Sequence, residues 1–274
     1  ESAITLIKNE NQVIPLKDLH TLNLASLNFG VDGPTEFTRQ LDLYHSGDHF
    51  FYSAPKKFPS DSLLNEIVKN HNTLIVNLYY TRSYGNNYNI PLGLKELINR
   101  LDFEGSLILN LFGYPYALNV LGDLNNTDAI IISYTNEQIN QRLSAQGIFG
   151  GTPMVGKLPV SIGTKYPVGT GMITHGMNRL GYSYPEAVSM NYDSLKVIEE
   201  IIGDAINNKA MPGCQVVIAR KGKVVWNKSY GYHTYLKRQP VQNDHLYDLA
   251  SVTKIAATVP ALMKLHDNGL FNAD

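Results

Sequence analysis

Short, dense apolar runs recur at 22–28, 73–78, 106–111 and 128–133, each rich in Leu, Ile or Val with little polar alternation. Runs of that kind suit strands buried on both faces, as in a parallel sheet. A weaker strand is expected at 49–53. Between them the apolar positions recur at helical spacing. Leu63, Leu64, Ile67 and Val68 follow the capping residues Ser60, Asp61 and Ser62. Leu94, Leu97, Ile98 and Leu101 are entered through Pro91, and Ile139, Leu143 and Ile148 follow Asn136 as an expected cap. The chain opens at Glu1 as if inside a helix. Alternating strands and helices predict an α/β fold, an open and mostly parallel sheet sandwiched by helices.

The texture changes from Gly150 to Gly181, where Gly and Pro recur and only Lys157-Leu158-Pro159-Val160-Ser161-Ile162 is expected as a strand. An irregular connection over 166–190 marks a domain boundary, so the expected organisation is 1–171, a linker at 172–189, and 190–274. The second part begins with an amphipathic helix carrying Leu195, Ile198, Ile201, Ile202 and Ile206, with Asp193 as its expected cap. Met211-Pro212-Gly213 breaks it. Strands at 214–220 and 223–229 flank Lys221-Gly222, a hairpin signal. Residues 252–265 read as a helix kinked at Pro260 and stopped at Gly269. This part is expected to be an α+β domain.

Composition narrows the function classes. A net charge of −1 gives no bulk field for nucleic acid or an acidic membrane, and no apolar run has the length of a membrane span. The one cysteine, Cys214, cannot form an internal disulfide and reads as a small buried hydrophobe. The eight histidines show no paired ligand spacing, so no metal is expected, and no cofactor is expected either. A dinucleotide or phosphate binder lacks its glycine-rich motif.

The sharpest chemical signal is Ser251-Val252-Thr253-Lys254. A spacing of three sets both side chains on one helical face, one turn apart. A serine hydroxyl needs a base to become a nucleophile. A helix start and partial burial would make Lys254 a better one, and backbone N–H groups near the serine would favour an oxyanion. The short pattern alone equally describes a helix cap beside a surface lysine.

Its surroundings resemble a family. Met211-Pro212-Gly213, the two strands around Lys221-Gly222, Asp248-Leu249-Ala250-Ser251-Val252-Thr253-Lys254 and Ala261-Leu262-Met263-Lys264-Leu265 are similar, in order, to the opening of serine β-lactamase-like hydrolases. That family includes class C β-lactamases, penicillin-binding D,D-peptidases and esterases. The resemblance implies Ser251 as the acyl-accepting nucleophile and Lys254 as its base or proton relay. The family's Tyr-x-Asn or Ser-x-Asn and Lys-Thr-Gly-like elements, which lie well downstream of the nucleophile, do not follow Lys254 here, so the β-lactamase-like domain is expected to be incomplete.

A second resemblance covers 1–171. Glu1-Ser2-Ala3-Ile4-Thr5-Leu6-Ile7-Lys8-Asn9 with Val13-Ile14-Pro15-Leu16 looks like the entry to the C-terminal α/β domain of glycoside hydrolase family 3, where a helix ends in an asparagine. Phe112-Gly113-Tyr114-Pro115, Phe149-Gly150-Gly151 through Ser161, and Tyr166-Pro167-Val168-Gly169-Thr170-Gly171 resemble later signatures. The domain order resembles bacterial fusions whose glycosidase part is N-acetylglucosaminidase-like. It implies a bifunctional hydrolase, a glycan or cell-wall-type substrate, and a periplasmic or cell-envelope location. It also implies an upstream barrel holding the glycosidase nucleophile and a downstream β-lactamase-like segment, so the chain alone is expected to be inactive. Asp102, Glu104 and Glu137 form no evident catalytic pair. The Tyr- and Asn-rich loop 80–88 is a candidate sugar contact. The non-catalytic alternative makes the first domain a scaffold or glycan-contact surface and the second a degenerate module.

Overall fold

The computed structural model describes residues 3–53, 58–80, 88–177 and 179–272. They group into two compact units, Glu1–Ser183 with Arg220–Val224, and Tyr184–Ala219 with Val225–Asp274.

The first unit is an α/β sandwich. Its strands are β1 (Thr5–Asn9), β2 (Leu24–Phe29), β3 (Asp48–Tyr52), β4 (Thr73–Leu78), β5 (Ser106–Leu111) and β6 (Ala129–Ile132), in the order β1-β6-β5-β4-β2-β3. All neighbours run parallel except β1, which is antiparallel to β6. β2, β4 and β6 are buried at every position, which is why their sequences are apolar with little alternation. The helices are α1 (Glu36–Asp42), α2 (Asp61–Asn70), α3 (Leu92–Arg100), α4 (Leu118–Leu121) and α5 (Gln138–Ile148). One face of the sheet packs Leu64, Ile67, Leu94, Leu97, Ile98 and Leu118. The other packs Phe37, Leu41, Ala145 and Ile148.

Several expectations need correction. The opening segment is not a helix: Thr5–Asn9 is a strand, while Glu1 and Ser2 lie outside the described residues. Ile4, Thr5 and Leu6 are all buried, and pairing with β6 outweighs the helical look of the segment. Lys8 anchors it, its Nζ donating to the carbonyls of Leu124, Asn125 and Thr127. Residues 157–162 are not a strand. Pro159 removes a donor there, and the segment closes only a bridge from Ile162 to Tyr166. Asn136 is not the cap of α5. That position is Glu137, while Asn136 Oδ1 accepts from Gln141 Nε2. α1, not expected from the sequence, is held by a reciprocal pair between Thr35 and Thr38.

The second unit contains α6 (Tyr192–Asn207) and most of the hairpin of β8 (Gly213–Arg220) and β9 (Lys223–Gly231); the two-residue strand β7 (Gly181–Tyr182) comes earlier in the chain. The cap of α6 is Asn191, whose Oδ1 accepts the Ser194 N–H at 2.8 Å, and Asp193 sits in the first turn. Asn191 is one position before the helix, where a cap side chain can turn back on it. α6 meets the hairpin through an ion pair of Glu199 with Lys228 at 2.7 Å and a ring contact of Tyr192 with Trp226. The hairpin turns at Lys221 and Gly222, both at positive φ, the pairing a two-residue turn requires. Cys214 is half-buried rather than buried, because it lies at the start of β8, and burial pushes its thiol pKa up.

Residues 254–258 form a π-helical turn leading into α7 (Val259–Asp267). The widened turn immediately precedes Val259 and Pro260, and the proline nitrogen cannot donate to the helical ladder. Gly269, at φ 69°, ends the helix as expected, with its N–H bonded to His266 O.

Candidate active site

Ser251 lies at the end of a tight approach. Asp248 Oδ1 accepts the Ala250 N–H at 2.9 Å, and Ala250 sits at φ 44°, a region a Cβ-bearing residue rarely adopts. From there the chain winds up. The N–H groups of Val252, Thr253 and Lys254 donate to the carbonyls of Leu249, Ala250 and Ser251. Those three amides are therefore engaged within the turn.

Lys254 Nζ stands 3.0 Å from Ser251 Oγ and donates to it. The two candidate residues are thus brought together by one helical turn, as their spacing predicts. Lys254 is exposed rather than partly buried, as is every residue from 246 to 272. The apolar residues of this stretch are exposed as well: Ile255 at 72%, Met263 at 62% and Leu270 at 74%. Val259, Leu262, Met263, His266 and Phe271 line a shallow apolar hollow of about 310 Å³ beside α7.

The first unit holds a second constellation that the sequence did not disclose. Ser26 Oγ is 2.7 Å from His49 Nδ1, and His49 Nε2 is 3.1 Å from Asp42 Oδ1. By connectivity this is a serine, a histidine and an aspartate. By environment it is structural, since Ser26 is fully buried. Ser26 Oγ also accepts from Asn28 Nδ2 at 2.8 Å. The chain of bonds continues across the sheet. Asn77 donates to Asn28, Asn110 to Asn77, and Ser133 to Asn110, at 3.0, 3.2 and 2.8 Å. The register that sets Asn28 opposite Asn77, and Asn77 opposite Asn110, builds this ladder.

Asp102, Glu104 and Glu137 are exposed. In the loop 80–88, residues 81–87 lie outside the described residues. Among the described residues no group of three or more His, Cys, Asp or Glu is arranged to hold a metal ion, and no helix is long and apolar enough to cross a membrane.

Comparison with known proteins places a family on part of the chain. Residues 198–274 match the family model described as Beta-lactamase. "Protein flp" of Staphylococcus aureus (strain N315) is 36% identical over 80 residues, 29% of this chain and 16% of that protein. A "Putative D-alanyl-D-alanine carboxypeptidase" of Escherichia coli O157:H7 is 32% identical over 117 residues, 40% of this chain and 24% of that one. The chain therefore spans about a sixth to a quarter of the curated relatives it matches. Among solved structures, a "fungal multi-domain GH3 beta-N-acetylglucosaminidase" aligns with TM-score 0.49 at 14% identity, covering 81% of this chain and 28% of that chain. A beta-D-glucoside glucohydrolase from Trichoderma reesei aligns with TM-score 0.42 at 12% identity, covering 72% and 33%. Both scores are below 0.5, and neither decides the fold or the activity of this chain.

Proposed function

We propose that residues 198–274 supply the nucleophile of a serine acyl-hydrolase, with Ser251 as the attacking residue and Lys254 as its base. The observation that carries the reading is the 3.0 Å approach of Lys254 Nζ to Ser251 Oγ across one turn. In the reaction, Lys254 as the neutral amine accepts the hydroxyl proton while Ser251 Oγ bonds to an acyl carbon, whose carbonyl electrons move to oxygen. Collapse of that adduct expels an amine or alkoxide, which takes a proton, and water then frees the acyl group from Ser251. The proposed substrates are peptidoglycan-type acyl peptides, β-lactams or esters, handled in the periplasm or cell envelope.

The first unit is read as the family 3 C-terminal domain of an N-acetylglucosaminidase-like glycosidase, on the succession of segments from Thr5 to Gly171. Its role is support or glycan contact, with the cleaving carboxylate supplied from outside these residues. The whole protein is thus proposed to be a bifunctional hydrolase.

The test is acylation of the full-length protein by a fluorophosphonate probe, with the labelled peptide mapped. Ser251→Ala should abolish labelling, and Lys254→Ala should slow it on the order of a hundredfold. Labelling at another serine, unchanged in Ser251→Ala, rules the assignment out. The exposure of Ser251 and Lys254 favours a second reading, a non-catalytic module with Ser251 at a helix start. That reading predicts no labelling of Ser251 at all.

A further inference from the structure

We infer that Asp248 is a positioning residue for Ser251, acting through the backbone of Ala250; this rests on the reading of Ser251 as the nucleophile. Ala250 is in the left-handed region at φ 44°, where an L residue with a Cβ is disfavoured and where asparagine, aspartate or glycine would be more at ease. A position like that persists only when its surroundings impose it. The side-chain bond at this turn runs from the Ala250 N–H to Asp248 Oδ1, 2.9 Å, two residues back, which is the geometry of an Asx turn.

The path of the chain into the helix depends on that turn. The Leu249, Ala250 and Ser251 carbonyls accept from the N–H groups of Val252, Thr253 and Lys254 at 2.9, 3.1 and 3.1 Å, so three consecutive tight turns wind the chain into the helix. The winding sets Lys254 one turn past Ser251, with Nζ 3.0 Å from Oγ. If Ala250 relaxes to an extended or right-handed conformation, the helix start is re-aimed and Ser251 turns with it, together with Lys254, relative to the chain before them. Asp248 thus contributes an acceptor oxygen to the backbone rather than a charge to the reaction. Asparagine can provide the same oxygen, and alanine cannot.

The experiment uses the full-length protein with Asp248→Ala, Asp248→Asn, and the double substitution Asp248→Ala/Ala250→Gly. The first readout is the acylation rate at Ser251 with a fluorophosphonate probe, resolved into probe binding and the chemical step. Asp248→Ala should slow the chemical step on the order of tenfold to a hundredfold, the scale of a misplacement of about 1 Å, with probe binding little changed. Asp248→Asn should keep most of the rate. Ala250→Gly should recover part of what Asp248→Ala loses, because glycine adopts the left-handed turn freely. The second readout is amide exchange at Ala250, which should speed up in Asp248→Ala and stay slow in Asp248→Asn. Wild-type acylation in Asp248→Ala overturns the inference. So does an Asp248→Asn variant as slow as Asp248→Ala, since that pattern belongs to the charge, and so does unchanged exchange at Ala250. Failure of the unsubstituted protein to label Ser251 is a different result: it removes the nucleophile and the positioning role together, while the exchange arm still decides whether Asp248 holds the turn.

Discussion

The side chain of Asn9 and the backbone of Ile14 bond to each other in both directions, Nδ2 to Ile14 O at 2.7 Å and Ile14 N to Oδ1 at 2.9 Å. One amide side chain thus closes the loop that leads from β1 into the buried Ile14 and Leu16. Asn9→Ala should cost roughly 2 kcal/mol or more, because it leaves two backbone groups of a buried residue without their partner. Asn9→Asp should also destabilise, since a carboxylate keeps the acceptor but faces the Ile14 carbonyl without a donor. Urea denaturation midpoints of the two variants check both, and a midpoint within error of the unsubstituted protein contradicts the assignment.

Asn77 is fully buried in the middle of the amide ladder, donating to Asn28 and accepting from Asn110. Asn77→Leu should destabilise by about 2–5 kcal/mol, because both neighbours lose a partner in a place water does not reach. Replacing Asn28, Asn77 and Asn110 together by leucine should cost less than the three single losses added. Additive losses in the triple variant would mean the three amides do not act as a set.

Tyr44, Tyr79 and Tyr80 have their hydroxyl pKa values raised by burial, Tyr80 to about 12 and the other two further. A tyrosine whose folded pKa lies above its unfolded value leaves stability intact below the unfolded pKa, near 10. That stability is lost as pH rises through the folded pKa. The first unit should therefore weaken steadily from about pH 10 upward. Tyr79→Phe should flatten that slope while forfeiting the 3.0 Å bond to Thr35 Oγ1 at neutral pH. Denaturation series at about pH 8 and about pH 11, on either side of the unfolded pKa, measure the difference. Parallel slopes in the two proteins would count against it.

Arg179 donates to three backbone carbonyls, Leu16 and Lys17 at 2.5 Å and Phe149 at 2.8 Å. This ties the stretch after Gly171 to the body of the first unit. Arg179→Leu should speed limited proteolysis between 172 and 183 several-fold, with little change at sites within β4 or β5. Unaltered cleavage in that stretch would show that the clamp is dispensable.

Strands β2, β4, β5 and β6 are legible in the sequence because burial on both faces leaves mostly apolar residues, and a dense apolar run broken by no more than a buried Ser, Thr or Asn has few other uses. β1 is not, because a segment with Ile4, Leu6, Ile7 and Lys8 satisfies a helical stripe as easily as a strand. Only pairing with β6, distant in sequence, resolves it. α1 escapes because its cap is a Thr35–Thr38 pair rather than a threonine with an acid three residues on. At the candidate site, the proximity of Ser251 and Lys254 follows from helical geometry and can be read directly. The left-handed Ala250 cannot, since alanine carries no sequence signal for positive φ. The Ser26–His49–Asp42 connection is equally hidden, because it depends on which strands become neighbours.

The direction of the bonds in the ladder has a consequence of its own. The donors all point the same way, from Ser133 through Asn110, Asn77 and Asn28 to Ser26. No single amide can turn over without setting two oxygens or two N–H groups against each other, and the sense is held at Asn28, whose Nδ2 also donates to the Phe50 carbonyl at 3.1 Å, an atom that cannot donate in return. A backbone carbonyl on β3 thereby dictates the polarity of a hydroxyl just past β6, on the far side of the parallel strands. Substituting Asp42 by asparagine would therefore change the partner of His49 and leave the sense of the amide row as it is.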